Sequence, residues 1–249
     1  MVKRFGIISH RFAQPLFNGL RTGDKPLFEL IEDSEAQLAI KLRGQQLDGA
    51  FLSPIDYAKD YSMYRIVPGI GAISERESGL VLLIFKENIR EIKTVAIDPN
   101  FTSEIVLASL ILSEKFDAKP KLIPLVGEPG AALLKAEAVL VVGDAAEQLK
   151  TTKNKLDLVD EWFDITELPF VHGMWVSRED RFTKKEIESL TACCKQGTAI
   201  PPVDIEENSR SRIRFDLDET AVTAMNEFFR MAYYHGILQD IPDIKFMEV

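Results

Sequence analysis

Residues 94–116 read TVAIDPNFTSEIVLASLILSEKF, which is a short apolar stretch, a polar turn and a long apolar stretch. We predict a strand at Thr94–Ile97 and a helix over residues 104–116, with the polar residues of the turn between them as helix caps. Backbone N–H groups and hydroxyls would then converge at the positive end of the helix, where anions bind. The candidate binding residues of this turn are Asn100, Thr102 and Ser103.

The same order of strand, polar turn and helix recurs on both sides of this stretch. Residues 47–52 form an apolar strand that ends at Ser53, and residues 138–142 form another that ends at Gly143. Alternating strands and helices are typical of α/β proteins, and open α/β sheets bind ligands beyond the carboxyl ends of their strands. We therefore expect an α/β fold with Ser53 at its ligand-binding edge.

Two apolar strands, near residues 79–86 and 170–177, are interpreted as crossings between two lobes. This interpretation predicts an outer lobe of residues 1–86 plus 170–249 and an inserted lobe of residues 87–169. Two lobes joined by two strands form a hinge that can close around a small ligand and exclude water. The expected architecture is a clamshell with a central cleft.

Composition limits the kind of protein. The 249 residues are 46% hydrophobic, and no run approaches the ~18 apolar residues of a membrane-spanning helix, so we expect a cytoplasmic protein without a membrane partner. Thirty Lys and Arg against 39 Asp and Glu give a net charge of −9, which disfavours a nucleic-acid partner. The period-two row Arg210, Arg212 and Arg214 is interpreted as a solvated face, with anion binding as the alternative. Cys194 is predicted to lie on the core face of a helix.

The sequence lacks the short motifs of common cofactor and metal sites. It contains no complete nucleotide-binding glycine pattern, no H-E-x-x-H and no C-x-x-C. The histidines His10, His172 and His235 are far apart and have no carboxylate at ligand spacing, so no metal centre is expected. His172 is predicted to pack within a strand or line the hinge, and His235 to lie at a helix C-terminus.

The segment His10-Arg11-Phe12 follows the first predicted strand, at the edge where a cleft would open. A neutral imidazole near pH 7 can act as a general base, and a guanidinium can bind a carboxylate through two parallel hydrogen bonds. The alternative is a surface loop in which neither side chain touches a ligand. Local chemistry leaves both interpretations open.

Several segments together resemble one known family. They are Ile8-Ser9 followed by Pro15-Leu16, the strand from Asp48 to Ser53, Tyr64-Arg65-Ile66-Val67-Pro68-Gly69, Thr102-Ser103, Val142-Gly143-Asp144 and Leu168-Pro169-Phe170-Val171. In this order they resemble the chorismate dehydratases of the futalosine route to menaquinone, over essentially the whole chain. The resemblance implies a two-lobed fold like the type II periplasmic binding proteins, and conversion of chorismate to an enolpyruvyl-oxybenzoate without a cofactor. The implied partner is a small-molecule carboxylate; the oligomeric state is open, with a homodimer as one possibility.

The resemblance also assigns site residues. Its implied substrate-binding residues are Ser9, Ser53, Ser78, Asn100, Thr102, Ser103, Gly143 and Asp144, and the implied catalytic segment is His10, Arg11 and Phe12. Phe12 stands where the family usually has Asn, and a phenyl ring cannot make an amide's hydrogen bonds. Either His10 or Arg11 takes over that polar role, or the protein binds a related aromatic or dicarboxylic acid without converting it. The sister enzyme of the same route is a weaker alternative, because its turn after the strand at 138–142 carries a His where this chain has Gly143-Asp144-Ala145.

Overall fold

The computed structural model describes residues 2–21, 28–149, 151–199 and 213–248. The strands in these ranges are β1 (Lys3–Ile7), β2 (Phe28–Glu32), β3 (Gly49–Leu52), β4 (Tyr64–Ser74), β5 (Val81–Phe85), β6 (Thr94–Ile97), β7 (Lys121–Pro124), β8 (Ala138–Val142), β9 (Lys155–Asp157) and β10 (Phe170–Arg178). The helices are α1 (Gln14–Arg21), α2 (Glu35–Arg43), α3 (Pro54–Lys59), α4 (Thr102–Phe116), α5 (Pro129–Ala132), α6 (Asp144–Leu149), α7 (Leu158–Thr166), α8 (Lys184–Ala199) and α9 (Glu219–Tyr234), with short 3-10 helices at Arg11–Ala13 and Ile89–Glu91. Arg210 and Arg212 of the predicted arginine row lie outside the described residues.

The strands form two mixed sheets of five. Sheet A has the order β2-β1-β3-β10-β4, in which β1 is parallel to β2 and β3, and β10 is antiparallel to β3 and β4. Sheet B has the order β7-β6-β8-β5-β9, in which β6 is parallel to β7 and β8, and β5 is antiparallel to β8 and β9. The predicted α/β fold is therefore present as two separate sheets.

The chain passes between the sheets twice, through residues 75–80 and through residues 167–169. The first connection ends before the lobe boundary predicted at residue 86. Strand β5 pairs with β8 from Val81 opposite Val142 to Phe85 opposite Ala138, so it lies in sheet B. An apolar strand that is buried in a sheet has the same sequence pattern as one that crosses a hinge, which is why the sequence placed it in the outer lobe.

Two helices begin as the sequence predicts, and a third begins earlier than predicted. Ser34 caps α2 by accepting a hydrogen bond from the N–H of Gln37, and Thr183 with Glu186 forms the predicted capping box of α8. Helix α4 begins at Thr102 rather than at residue 104, and its N-cap, Phe101, makes no capping bond with its side chain. The hydroxyls expected to cap α4 are instead hydrogen-bonded to the segment after β3.

The core of sheet A is built around Trp175, which is fully buried on β10. Its ring meets Phe5, Phe17 and Phe51 edge to face, with centroid separations of 5.3, 5.4 and 5.7 Å. Such pairs contribute about 0.5–1.5 kcal/mol each beyond their buried area. Cys194 is also fully buried, as its place on the apolar face of α8 predicts. This packing fixes β1 and β3, whose carboxyl ends carry the site residues.

Within the described ranges, every helix is too short or too polar to cross a membrane.

Candidate functional site

The site lies where the loops after β1 and β3 of sheet A meet the loops after β6 and β8 of sheet B. The His10 ring centroid is 5.3 Å from that of Phe101, and the hydroxyls of Ser53 and Thr102 are 3.1 Å apart. Both contacts join residues from different sheets. The carboxyl ends of the parallel strands of each sheet therefore face one another, which is the position where open α/β sheets bind ligands.

His10 is half-buried in this region and lies against Gly143. A Cβ at residue 143 would be 2.6 Å from the imidazole Nδ1, and the backbone of Gly143 has a φ of +67°, so two independent constraints favour glycine. Burial lowers the pKa of His10, and the carboxylates of Asp144 and Asp98 offset part of this effect. A neutral imidazole near pH 7 is able to accept a proton.

Phe12 fills the space between two imidazoles. Its ring is stacked on His10 with centroids 5.9 Å apart and lies 5.4 Å from His172. His172 is 2% exposed on β10, and its Nε2 is 2.9 Å from the hydroxyl of Ser74. Burial lowers the pKa of His172 to about 3, so this ring is neutral at physiological pH. Phe12, at the position where the resemblance implies an asparagine, is thus one of a column of aromatic rings.

Arg11 binds protein carboxylates across the site. Its backbone N–H donates to Asp144 Oδ1 at 3.2 Å, its Nε is 3.5 Å from the same oxygen, and its guanidinium contacts Glu147. The Arg11 guanidinium, which the sequence suggests as a ligand contact, is therefore paired with two carboxylates of α6. Because both partners are partly exposed, the pair contributes little to stability, about 0–1 kcal/mol. A ligand role for Arg11 or Asp144 requires these contacts to open.

The predicted hydroxyls form a buried network instead of an open cradle. Thr102 Oγ1 donates to Asp56 Oδ2 at 2.8 Å, and Ser53 Oγ donates to the same oxygen at 3.0 Å. Ser103 Oγ accepts from the N–H of Ile55 at 2.9 Å, so α4 of sheet B is bound to α3 of sheet A at two points. Ser53 and Ser103 are at most 1% exposed, and Thr102 is half-buried.

The remaining predicted residues have local roles. Ser9 is exposed, and its carbonyl accepts from the side chain of Gln14. Asn100 donates through its N–H and its amide to Asp98 Oδ1, which fixes the turn before α4. Ser78 lies apart from the others, in the first crossing, and donates to Asp157, the N-cap of α7. The structure therefore brings together the loop residues of four strands and leaves Ser78 in the connection between the sheets.

Sequence reasoning missed three buried acids beside this network, Glu35, Asp56 and Glu104. One carboxylate oxygen of Glu35 and one of Glu104 have no hydrogen-bond partner among the described residues. Burial raises the pKa of Glu104 to about 7, and burial together with Glu104 and Asp56 raises that of Glu35 well above its usual value. The spacing of Ser53-Pro-Ile-Asp56 has the form of a capping box and could have indicated Asp56. No group of three or more His, Cys, Asp or Glu in the described ranges is arranged to hold a metal ion.

A family profile described as "Menaquinone biosynthesis" matches residues 4–234. The chain belongs to the menaquinone biosynthesis family. This match confirms the family that the sequence analysis identified by resemblance. As a family member, the chain has a role in menaquinone biosynthesis.

Solved structures of distant proteins share the fold of this family member. Protein AF1704 from Archaeoglobus fulgidus aligns over 95% of this chain and 98% of its own, with a TM-score of 0.68 and 16% identity. The CA3427 gene product of Candida albicans, which exhibits the generic periplasmic binding protein fold, aligns over 100% and 98%, with a TM-score of 0.66 and 11% identity. The aliphatic sulphonate binding protein SsuA from Escherichia coli aligns over 98% and 95%, with a TM-score of 0.62 and 12% identity. The predicted periplasmic-binding-protein-like fold is thus confirmed.

Proposed function

We propose that this protein is a chorismate dehydratase, a carbon–oxygen lyase that converts chorismate to 3-(1-carboxyvinyloxy)benzoate in the futalosine route to menaquinone. The observation that carries the proposal is the match of nearly the whole chain to a menaquinone biosynthesis family. The convergence of His10, Thr102 and two phenyl rings at one site supports it. The cytoplasmic location expected from the sequence is part of the same proposal.

The reaction makes few chemical demands on a protein. Chorismate loses a proton from one ring carbon and a hydroxide from the neighbouring carbon, which combine as water while the ring gains its third double bond. Aromatisation drives the reaction, so the site has to hold two carboxylates, accept a proton and stabilise the departing hydroxide. Side chains and backbone N–H groups of this chain can provide each of these functions.

His10 is the candidate base, because its imidazole is kept neutral by burial and lies at the junction of the two sheets. Phe12 and Phe101 flank it and can pack on the faces of a six-membered ring. The N-cap of α4, Phe101, makes no side-chain capping bond, so N–H groups at the positive end of this fifteen-residue helix can bind a carboxylate. In this arrangement the substrate ring packs beside His10 and these phenyl groups, with its carboxylates toward α4 and the Thr102 hydroxyl.

Incubation of purified protein with chorismate tests the proposal, with the diene absorbance and the chromatographic product followed over time. Wild-type protein should form the enolpyruvyl-oxybenzoate, and His235→Ala should do so at the same rate, because His235 pairs with Glu114 away from the site. His10→Ala should be strongly impaired. An unchanged chorismate spectrum beside an active family member would contradict the proposal.

The second candidate is a non-catalytic binding protein for an aromatic or dicarboxylic acid. The observation that favours it is Phe12, which gives the site an apolar ring at the position of a polar family residue. A ligand that raises the melting temperature and is recovered unchanged would support this candidate over the dehydratase.

A further inference from the structure

Asp56 controls the direction of the hydroxyl protons at the site. A carboxylate only accepts hydrogen bonds, and a hydroxyl has one proton to donate. Ser53 Oγ and Thr102 Oγ1 both lie within hydrogen-bonding distance of the same oxygen, Asp56 Oδ2, at 3.0 and 2.8 Å. The two hydroxyls are also 3.1 Å apart, so each proton is directed either at Asp56 or at the other hydroxyl, and both are held within this group of three side chains.

This arrangement conflicts with simple carboxylate binding. A ligand carboxylate is itself an acceptor, so it can bind Ser53 or Thr102 only after a hydroxyl proton turns away from Asp56 or from the other hydroxyl. The negative charge of Asp56 opposes a second carboxylate at the same place.

Lys59 makes a change of partner feasible. Its Nζ donates to the other oxygen, Asp56 Oδ1, at 2.8 Å, and this contact does not involve the hydroxyls. If the hydroxyl protons turn toward a ligand, Asp56 remains paired with an ammonium group instead of becoming an isolated buried charge, which would be costly.

We propose that Asp56 is a specificity-determining residue whose carboxylate holds the Ser53 and Thr102 protons until a ligand carboxylate takes them, so that binding exchanges one carboxylate for another. The inference rests on the proposed function in one respect, namely that the ligand carries a carboxylate. It deepens that function by naming the residue that sets the affinity for this group.

Asp56→Asn tests the exchange because Lys59 fixes the orientation of the new amide. The ammonium of Lys59 requires the amide oxygen at the Oδ1 position, which places the NH₂ group against both hydroxyls. That group donates to Ser53 and Thr102, and their protons are then free for a ligand. Asp56→Asn should therefore bind a carboxylate ligand more tightly than the wild type.

The probe is isophthalate, an aromatic dicarboxylate that cannot be dehydrated, with binding measured by titration calorimetry on the full chain. We expect Asp56→Asn to tighten the Kd by about tenfold, the effect of one hydrogen bond to a charged group. Asp60→Asn is the matched control, since it removes a negative charge from the end of the same helix, where Asp60 pairs with Arg43, and it should change the Kd by less than about twofold. The double variant Asp56→Asn/Lys59→Met allows the amide to rotate and should lose the gain.

An Asp56→Asn variant that is folded by circular dichroism and binds isophthalate no better than the wild type overturns the exchange, as does the absence of binding by both proteins. If Asp56→Asn does not fold, the Lys59→Met variant tests the proposal instead. Without its ammonium partner, Asp56 should hold the hydroxyl protons more strongly, and ligand binding should weaken. Lys59→Met should weaken isophthalate binding by at least about threefold more than Arg43→Met, which removes an equal charge nearby. Equal effects of the two variants would contradict the proposed exchange of carboxylates. Chorismate turnover by the wild type remains a separate result: isophthalate binding that tightens without turnover contradicts only the dehydratase.

Discussion

His10 and Gly143 approach each other so closely across the two sheets that a Cβ at residue 143 would lie 2.6 Å from the imidazole Nδ1. The contact joins the loop after β1 to the loop after β8. The position of the candidate base therefore depends on how the two sheets meet.

Gly143→Ala should therefore impair the site beyond its effect on the backbone. The added methyl group would push His10 away, and we expect kcat/KM for chorismate to fall by about 100-fold or more, since small displacements of positioned groups have effects of this size. Gly127→Ala is a matched control, because Gly127 also has a positive φ, +79°, but has no atom within 4 Å of an added Cβ. Equal losses of activity in the two variants would show that backbone strain, not the His10 contact, is responsible.

His10→Ala should lower turnover of chorismate by about 10²-fold or more if the imidazole is the base. Its effect on the free energy of unfolding should be small, because the ring is only half-buried. Steady-state kinetics and urea unfolding of the same preparation measure both quantities. Full activity in this variant would remove His10 from the mechanism.

The pH dependence of the reaction follows from the environment of His10. Burial lowers its pKa below the ordinary 6.5, so the base stays unprotonated to lower pH, and the acid limb of kcat/KM should lie below 6.5. Asp144→Asn removes a carboxylate that raises this pKa and should move the limb to still lower pH. Glu114→Gln, which changes the partner of His235 instead, should leave the limb in place. An acid limb at or above 6.5 would argue for another base.

Phe12→Asn restores the residue type that the family resemblance implies at this position. It should raise dehydratase activity, because an amide can hydrogen-bond to the substrate, and it should lower stability by roughly 1–3 kcal/mol because the ring column loses its middle member. Phe12→Leu keeps an apolar side chain and should lose stability without gaining activity. If both variants gained dehydratase activity, the gain would be due to the smaller side chain and not to the hydrogen bonds of the amide.

Glu104→Gln should stabilise the protein at neutral and basic pH. Glu104 has a folded-state pKa of about 7 against an ordinary value of 4.5, so the folded protein binds the extra proton and wild-type stability falls as pH rises between these values. The variant should gain roughly 1–3 kcal/mol in free energy of unfolding near pH 8 and nothing near pH 4. Urea unfolding at both pH values measures this difference. Glu188→Gln on the exposed side of α8 is the control, and an equal gain there would contradict the explanation.

Local patterns predicted the elements that depend on neighbouring residues. Strands β6 and β8 have the predicted bounds, and Ser34 and Thr183 cap their helices, because apolar runs and capping bonds involve residues only a few positions apart. The family and fold also followed from the ordered set of motifs. The predicted start of α4 was two residues too late, because the hydroxyls of Thr102 and Ser103 bind a distant segment instead of capping the helix.

The site was less predictable because its contacts join residues far apart in the chain. Local chemistry left open whether Arg11 contacts a ligand, and its pairing with Asp144, 133 positions away, could not be predicted from either residue alone. Asp56 was overlooked because its importance arises from Thr102, a residue of the other sheet. Single-residue chemistry identified which groups were present at the edges of the strands, but the pairing among them is set by how the two sheets meet.

Proton NMR of chorismate incubated with stoichiometric wild-type protein tests the proposed function most directly. The proposed dehydratase converts the ring-diene signals into those of 3-(1-carboxyvinyloxy)benzoate with its vinyl group intact, and Gly143→Ala slows this conversion far more than Gly127→Ala. Chorismate that remains unchanged, or that gives only the products formed without protein, would contradict it.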